Sequence, residues 1–177
     1  MVNQQEIKQC NVRCFARSPD GLLAWEFFIF FARFEYSLKR KSEYLMHENG
    51  DAKPNWDKYA SDVNVNKAFI STKSKELDDA IAFFIKTPPC KQITKDGELE
   101  WSDPQKWNEK EPKLKWLLGV VRTVRNNLFH GGKYPLAPVL EPSRDSKLIM
   151  HALVILQYAL SLNPDIENIF NEDFLNP

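Results

Sequence analysis

The sequence predicts an all-α fold, an up-and-down helical bundle with one irregular insertion, and three observations carry that expectation. Long apolar stretches free of proline run from Leu22 to Met46, from Lys113 to His130 and from Ser143 to Leu162, too long for ordinary strands and of a length usual for core helices. Short breaker clusters stand between them, at Gly50 to Pro54, at Pro88-Pro89, at Gly131-Gly132 and at Pro164. No β-branched runs alternate with helical stretches as a parallel sheet would require, and no repeat is present. At 177 residues the chain has single-domain size and can bury one sizeable core, so residues 1–177 are read as one domain.

Taken in order, Ser18-Pro19-Asp20-Gly21 is a start signal for helix one, expected over Leu22 to Met46. Its apolar residues (Leu22, Leu23, Trp25, Phe27, Phe28, Ile29, Phe30, Phe31, Phe34) lie almost all around the axis, as in a helix covered on more than one side. A core alone leaves part of that surface uncovered, which favours a homodimer interface. Trp56 to Ile70 reads as the next helix. Ser74 to Lys86 follows, with apolar Leu77, Ile81, Phe84 and Ile85, and Pro88-Pro89 stop it. Lys91 to Pro112 is polar and reads as an irregular insertion with a short hairpin around Lys95-Asp96-Gly97. The strongest helix is expected over Lys113 to His130, ended by Gly131-Gly132 because glycine tolerates the left-handed conformation after a helix. Lys133 to Pro142 is a loop. Ser143, Arg144 and Asp145 can cap the last long helix, which Pro164 ends.

Composition narrows the function classes. Apolar residues make up 43% and charged residues 27%, ordinary for a globular chain and too apolar for a disordered one. Lysine plus arginine equals aspartate plus glutamate at 24 each, so no global positive field announces a nucleic-acid binder and any RNA site must be a local cleft. The first 20 residues lack the apolar stretch of a secretory signal. The apolar run of helix one carries Glu26 and Arg33 and is too short for the ~20 residues that span a bilayer. A cytoplasmic protein with no membrane partner is therefore expected. Cys10, Cys14 and Cys90 read as reduced thiols, since the Cys10/Cys14 spacing lacks the second ligand pair of a zinc module. No phosphate-binding loop, zinc helix H-E-x-x-H or nucleophile elbow G-x-S-x-G is present, and no metal or cofactor is expected.

What remains is the string V-R-T-V-R-N-N-L-F-H-G-G-K from Val121 to Lys133. At roughly 100° per residue from Leu114, Leu118, Val121 and Leu128 fall within about 40° of it and Arg125 at about 20°. An arginine inside such a stripe needs a carboxylate, a phosphate or a water-filled cleft. Snorkelling, or an ion pair with Glu26 or Glu35, would meet that need as well as a ligand would. Arg122, Asn126 and His130, spaced i, i+4, i+8, form a polar strip beside it. His130 in the last turn lies at the negative end of the helix dipole, which favours its protonated form, and a cap at the helix end is its plain structural role. On an ideal helix it stands about 140° from Arg125, so the two do not share one face. Arg122 and Lys133 are candidate phosphate-binding cations and Tyr134 a candidate base-stacking ring, against the plainer roles of solvated charge and packing. His47 and His151 are read as structural.

The string Arg125 to His130, ending a helix and followed by a loop and another long helix, resembles the R-x-x-x-x-H motif of HEPN domains. Arg33-Phe34-Glu35-Tyr36 on helix one extends the resemblance to most of the chain. The resemblance implies a metal-independent endoribonuclease acting at a dimer cleft. His130 would be the general acid/base for attack of a ribose 2′-OH on phosphorus, Arg125 would stabilise the phosphoryl oxygens, and Asn126 would orient the pair. It also implies a toxin–antitoxin or phage-defence setting, RNA as substrate, and an antitoxin or partner protein. A non-catalytic HEPN module binding a nucleotide or a protein is the alternative. Two departures stand out: the insertion at 91–112, and Gly132 where HEPN toxins modified on tyrosine carry the last residue of H-x-Y.

Overall fold

Phenylalanine spacing sets the first helix. In α1 (Gly21–Arg40), Phe27, Phe31, Phe34 and Leu38 are buried and recur every three or four residues, so they form one ridge along the helix. The computed structural model describes residues 21–129 and 142–172, and within them the chain is mainly helical. After α1 come a hairpin of β1 (Leu45–Glu48) and β2 (Asp51–Pro54), α2 (Trp56–Ser61), α3 (Val63–Ser71) and α4 (Lys75–Lys86). A second hairpin of β3 (Gln92–Lys95) and β4 (Glu98–Trp101) precedes α5 (Lys113–Phe129), α6 (Pro142–Ser161) and α7 (Pro164–Glu172). A continuous core runs from Ala24 on α1 to Phe170 on α7. No helix among the described residues is long and apolar enough to cross a membrane.

Four boundaries differ from expectation, each for a local reason. Helix one, expected to reach Met46, stops at Arg40. Asn49 and Gly50 there adopt φ of 53° and 86°, the left-handed pair that closes a two-residue hairpin, and residues 45–48 pair with 51–54 instead. Tyr44, buried on Tyr59 with ring centroids 5.2 Å apart, pins the chain as it leaves the helix. The helix expected over Trp56 to Ile70 is two. Asp62 is extended (φ −61°, ψ 135°) and its carboxylate accepts from the amides of Asn64 and Val65 at 2.8 and 3.1 Å, capping a new helix in another direction. The last long helix, expected to follow a cap at Ser143, already begins at Pro142. Pro164 ends α6 and also opens α7, where its missing N–H is harmless; Asn163 Oδ1 accepts from the amides of Asp165 and Ile166.

At the start of α4 and in the insertion expectation and structure agree. Ser74 caps α4. The insertion carries its hairpin at Asp96-Gly97, with φ of 53° and 86°. The rest of the insertion lies along α5: Trp116 Nε1 donates to the Gln105 carbonyl at 2.7 Å, and Thr123 Oγ1 to Gln105 Oε1 at 2.7 Å.

Two predictions follow from this packing. Phe34 is fully buried between Trp56 and Tyr59, so Phe34→Ala should lower unfolding free energy by about 3–5 kcal/mol; Asp62→Ala, which removes a cap and leaves the core filled, should lower it by about 1 kcal/mol. Urea titration separates the two. His151 on α6 stacks on Phe83 at 4.3 Å, and burial holds its pKa below the ordinary 6.5, with Asp79 opposing and Lys147 assisting. The native state thus binds fewer protons there than the unfolded chain does. Its contribution is present above about pH 6.5 and is lost as pH falls through the depressed native value. His151→Phe, which keeps the stack, should flatten that part of a stability–pH profile.

Candidate functional site

Helix α5 is buried over more of its circumference than its apolar stripe suggested. Leu114, Trp116, Leu117, Leu118, Val120, Val121, Thr123 and Val124 are buried, an arc of roughly 220° at ~100° per residue. The reason is that α2, α4 and α6 all pack on this helix, while the insertion covers its Thr123 side. Arg125 is half-buried and stands at the rim of that arc. It was expected at the middle of a narrower one. Beside it Arg122, Asn126 and Phe129 are exposed.

The rim position suits an arginine, because its stem stays against the core while its head reaches water. The Arg125 guanidinium lies over the Phe31 ring at 5.3 Å, a cation–π contact that fixes its plane. Its Nη1 donates to Asn126 Oδ1 at 3.0 Å. Arginine and amide are therefore already joined in the isolated chain. Phe31 was not singled out in the sequence as a site residue; its spacing on α1 marked it only as apolar.

Arg122, the candidate phosphate cation, lies 3.8 Å from Asp57 on α2, and Asp57 also meets Lys115 at 3.2 Å. These are exposed pairs, weak in water, yet they place a carboxylate within the strip and lower its positive potential. Asp57 was not anticipated either, because it is distant in sequence. On the other side of the helix end, Asn127 Nδ2 donates to the Cys90 carbonyl at 2.8 Å and so ties α5 to the start of the insertion. Phe129, 40% exposed, packs on Phe28 of α1 with ring centroids 4.8 Å apart.

His130, Lys133 and Tyr134 lie outside the described residues, as do Cys10 and Cys14. Of the predicted site residues, the structure thus brings together Arg122, Arg125 and Asn126. His47 is exposed on β1 opposite Ala52. Among the described residues no group of three or more His, Cys, Asp or Glu side chains is placed to hold a metal ion. Shallow grooves lie on α1, one lined by Ile29, Ala32, Arg33, Tyr36 and Ser37 and another shared with α7 near Arg40, Ile169 and Glu172.

Comparison of the chain with protein-family models, with curated proteins and with solved structures finds no match.

Proposed function

We propose that this chain is a cytoplasmic, metal-independent endoribonuclease of the HEPN type, working as a homodimer in a toxin–antitoxin or phage-defence setting. The observation that carries the reading is the Arg125–Asn126 pair, with the arginine held on Phe31 at the rim of the core, one helical turn before His130 in the sequence. A guanidinium held in plane on an aromatic ring is arranged in advance to donate its N–H groups to phosphoryl oxygens. In this reading His130 removes the proton of a ribose 2′-OH, the 2′-oxygen bonds to the adjacent phosphorus, and the bond from phosphorus to the 5′-oxygen breaks. A protonated His130 from the second copy gives its proton to the leaving 5′-oxygen. The products are a 2′,3′-cyclic phosphate and a 5′-hydroxyl. Arg122, Lys133 and Tyr134 would hold the flanking strand.

A second reading has an observation in its favour. Asp57 beside Arg122 and Lys115 weakens the positive field that an RNA strand would meet, which fits a non-catalytic module binding a nucleotide or a protein partner.

The two readings separate on purified protein and labelled RNA. His130→Ala should fold like the parent by circular dichroism and lose cleavage by about 10²–10⁴-fold. Arg125→Lys keeps the charge but loses the planar stack and the fork, and should lose about 10²-fold or more. Cleavage should persist in EDTA and leave cyclic phosphate ends. Undiminished activity in His130→Ala would sink the catalytic assignment, and no cleavage by the parent of any cellular RNA would leave the binding module.

A further inference from the structure

The outer face of α1 carries a second pattern, distinct from the buried ridge. Leu22, Trp25, Ile29, Ala32 and Tyr36 recur alternately every three and four residues, the spacing of a coiled-coil seam. All five are exposed, with Leu22 82%, Trp25 54%, Ile29 37% and Tyr36 43% open to solvent. A contiguous apolar stripe of this kind on a folded surface marks an interaction site.

The stripe is complementary to itself. Its largest side chain, Trp25, stands two turns before its smallest, Ala32, and around Ala32 lies a groove of about 280 Å³ between Ile29, Arg33, Tyr36 and Ser37. When a second α1 is laid antiparallel with Ile29 facing Ile29, Trp25 of each copy meets the Ala32 groove of the other and Leu22 meets Tyr36. The flanking charges obey the same register. Glu26, exposed, falls opposite Arg33 of the second copy, whose guanidinium lies over Phe170 at 5.1 Å beside the groove. Parallel pairing would instead set Trp25 against Trp25 and Ala32 against Ala32, bulk on bulk, and would leave Glu26 of one copy and Arg33 of the other on opposite sides of the seam. One two-fold axis thus satisfies bulk, groove and charge together, as an isologous interface must, and zero net charge leaves no long-range repulsion between copies.

We propose that two copies of this chain pair through an antiparallel α1 seam about an axis beside Ile29, each Trp25 filling the Ala32 groove of the other. Phe129 borders this seam through Phe28, so the seam connects the interface to the end of α5 in each copy. As an explanation of function it rests on the ribonuclease reading, for which it supplies the second copy; as an interface it stands without that chemistry.

The test reads mass and cross-links, not activity. Light scattering of the parent at micromolar concentration should give twice 20.6 kDa, and Ile29→Lys should weaken dimerisation at least tenfold with unchanged circular dichroism. With Cys10, Cys14 and Cys90 replaced by serine, Ile29→Cys should form a covalent dimer on oxidation. A mixture of Trp25→Cys and Ala32→Cys chains should also cross-link. Ala32→Cys alone should not, because its two copies are displaced by about 9 Å along the helices, beyond the reach of a disulfide. A monomeric parent, a dimer unaffected by Ile29→Lys, or efficient cross-linking of Ala32→Cys with itself would each overturn the seam. If Ile29→Lys fails to fold, the cysteine pairs still decide. A dimer with the expected cross-links but no ribonuclease activity would leave the seam standing and remove only the catalytic reading.

Discussion

Phe31 sits where core and candidate site meet, and much of the geometry depends on what it touches. One side of its ring faces Trp56 at 5.3 Å, within the aromatic cluster that locks α1 to α2. The Arg125 guanidinium lies over the same ring at 5.3 Å. Orientation of the arginine is therefore inherited from core packing, where side chains are held in single rotamers by their neighbours. An arginine free on the surface would give up rotamer entropy each time it met a phosphate, whereas this one has already done so during folding.

The electrostatics around that arginine are local in character. The chain is neutral overall, and Asp57 stands between Lys115 and Arg122, so among the described residues the positive charge on this strip is partly offset. Recognition at such a place would rely on short-range, directional bonds, which salt screens less than it screens long-range steering. Geometry then matters more than charge count, and the insertion contributes to geometry. Its contacts through Gln105 with Trp116 and Thr123, and through Cys90 with Asn127, clamp α5 along the side facing away from Arg125. A polar segment that reads as an irregular insertion in the sequence is thus hydrogen-bonded to the helix that carries the motif.

Helix α1 serves two surfaces with one sequence. The ridge of Phe27, Phe31, Phe34 and Leu38 faces inward while Leu22, Trp25, Ile29, Ala32 and Tyr36 face out, so apolar residues surround the axis. That outer face is the basis of the proposed seam. The helix is also gripped by α7, since Arg33 donates to the Phe170 carbonyl, Phe30 packs on Phe170 at 4.8 Å and Lys41 bonds Asp165 at 2.6 Å. Those contacts fix Arg33 at the edge of the outer groove.

The sequence by itself determined the helical class, the positions of α4, α5 and α6, and the hairpin at Asp96-Gly97. These are set by short-range terms: periodic apolar spacing, breakers and turn residues act within a few positions of themselves. The first hairpin was hidden because Tyr-Leu-Met-His-Glu before Asn49-Gly50 is as helical in composition as it is extended, so the turn pair alone decided it. Asp62 and Pro164 each carry two opposite local meanings, helix interior or cap for one and stop or start for the other, and only the packing of Tyr59, Val65 and Ile166 into the core chose between them. Phe31 beneath Arg125, Asp57 beside Arg122 and the groove at Ala32 belong to the tertiary structure alone. Each joins residues far apart in the chain or depends on which face of a helix is covered, and neither is encoded in the spacing along one segment.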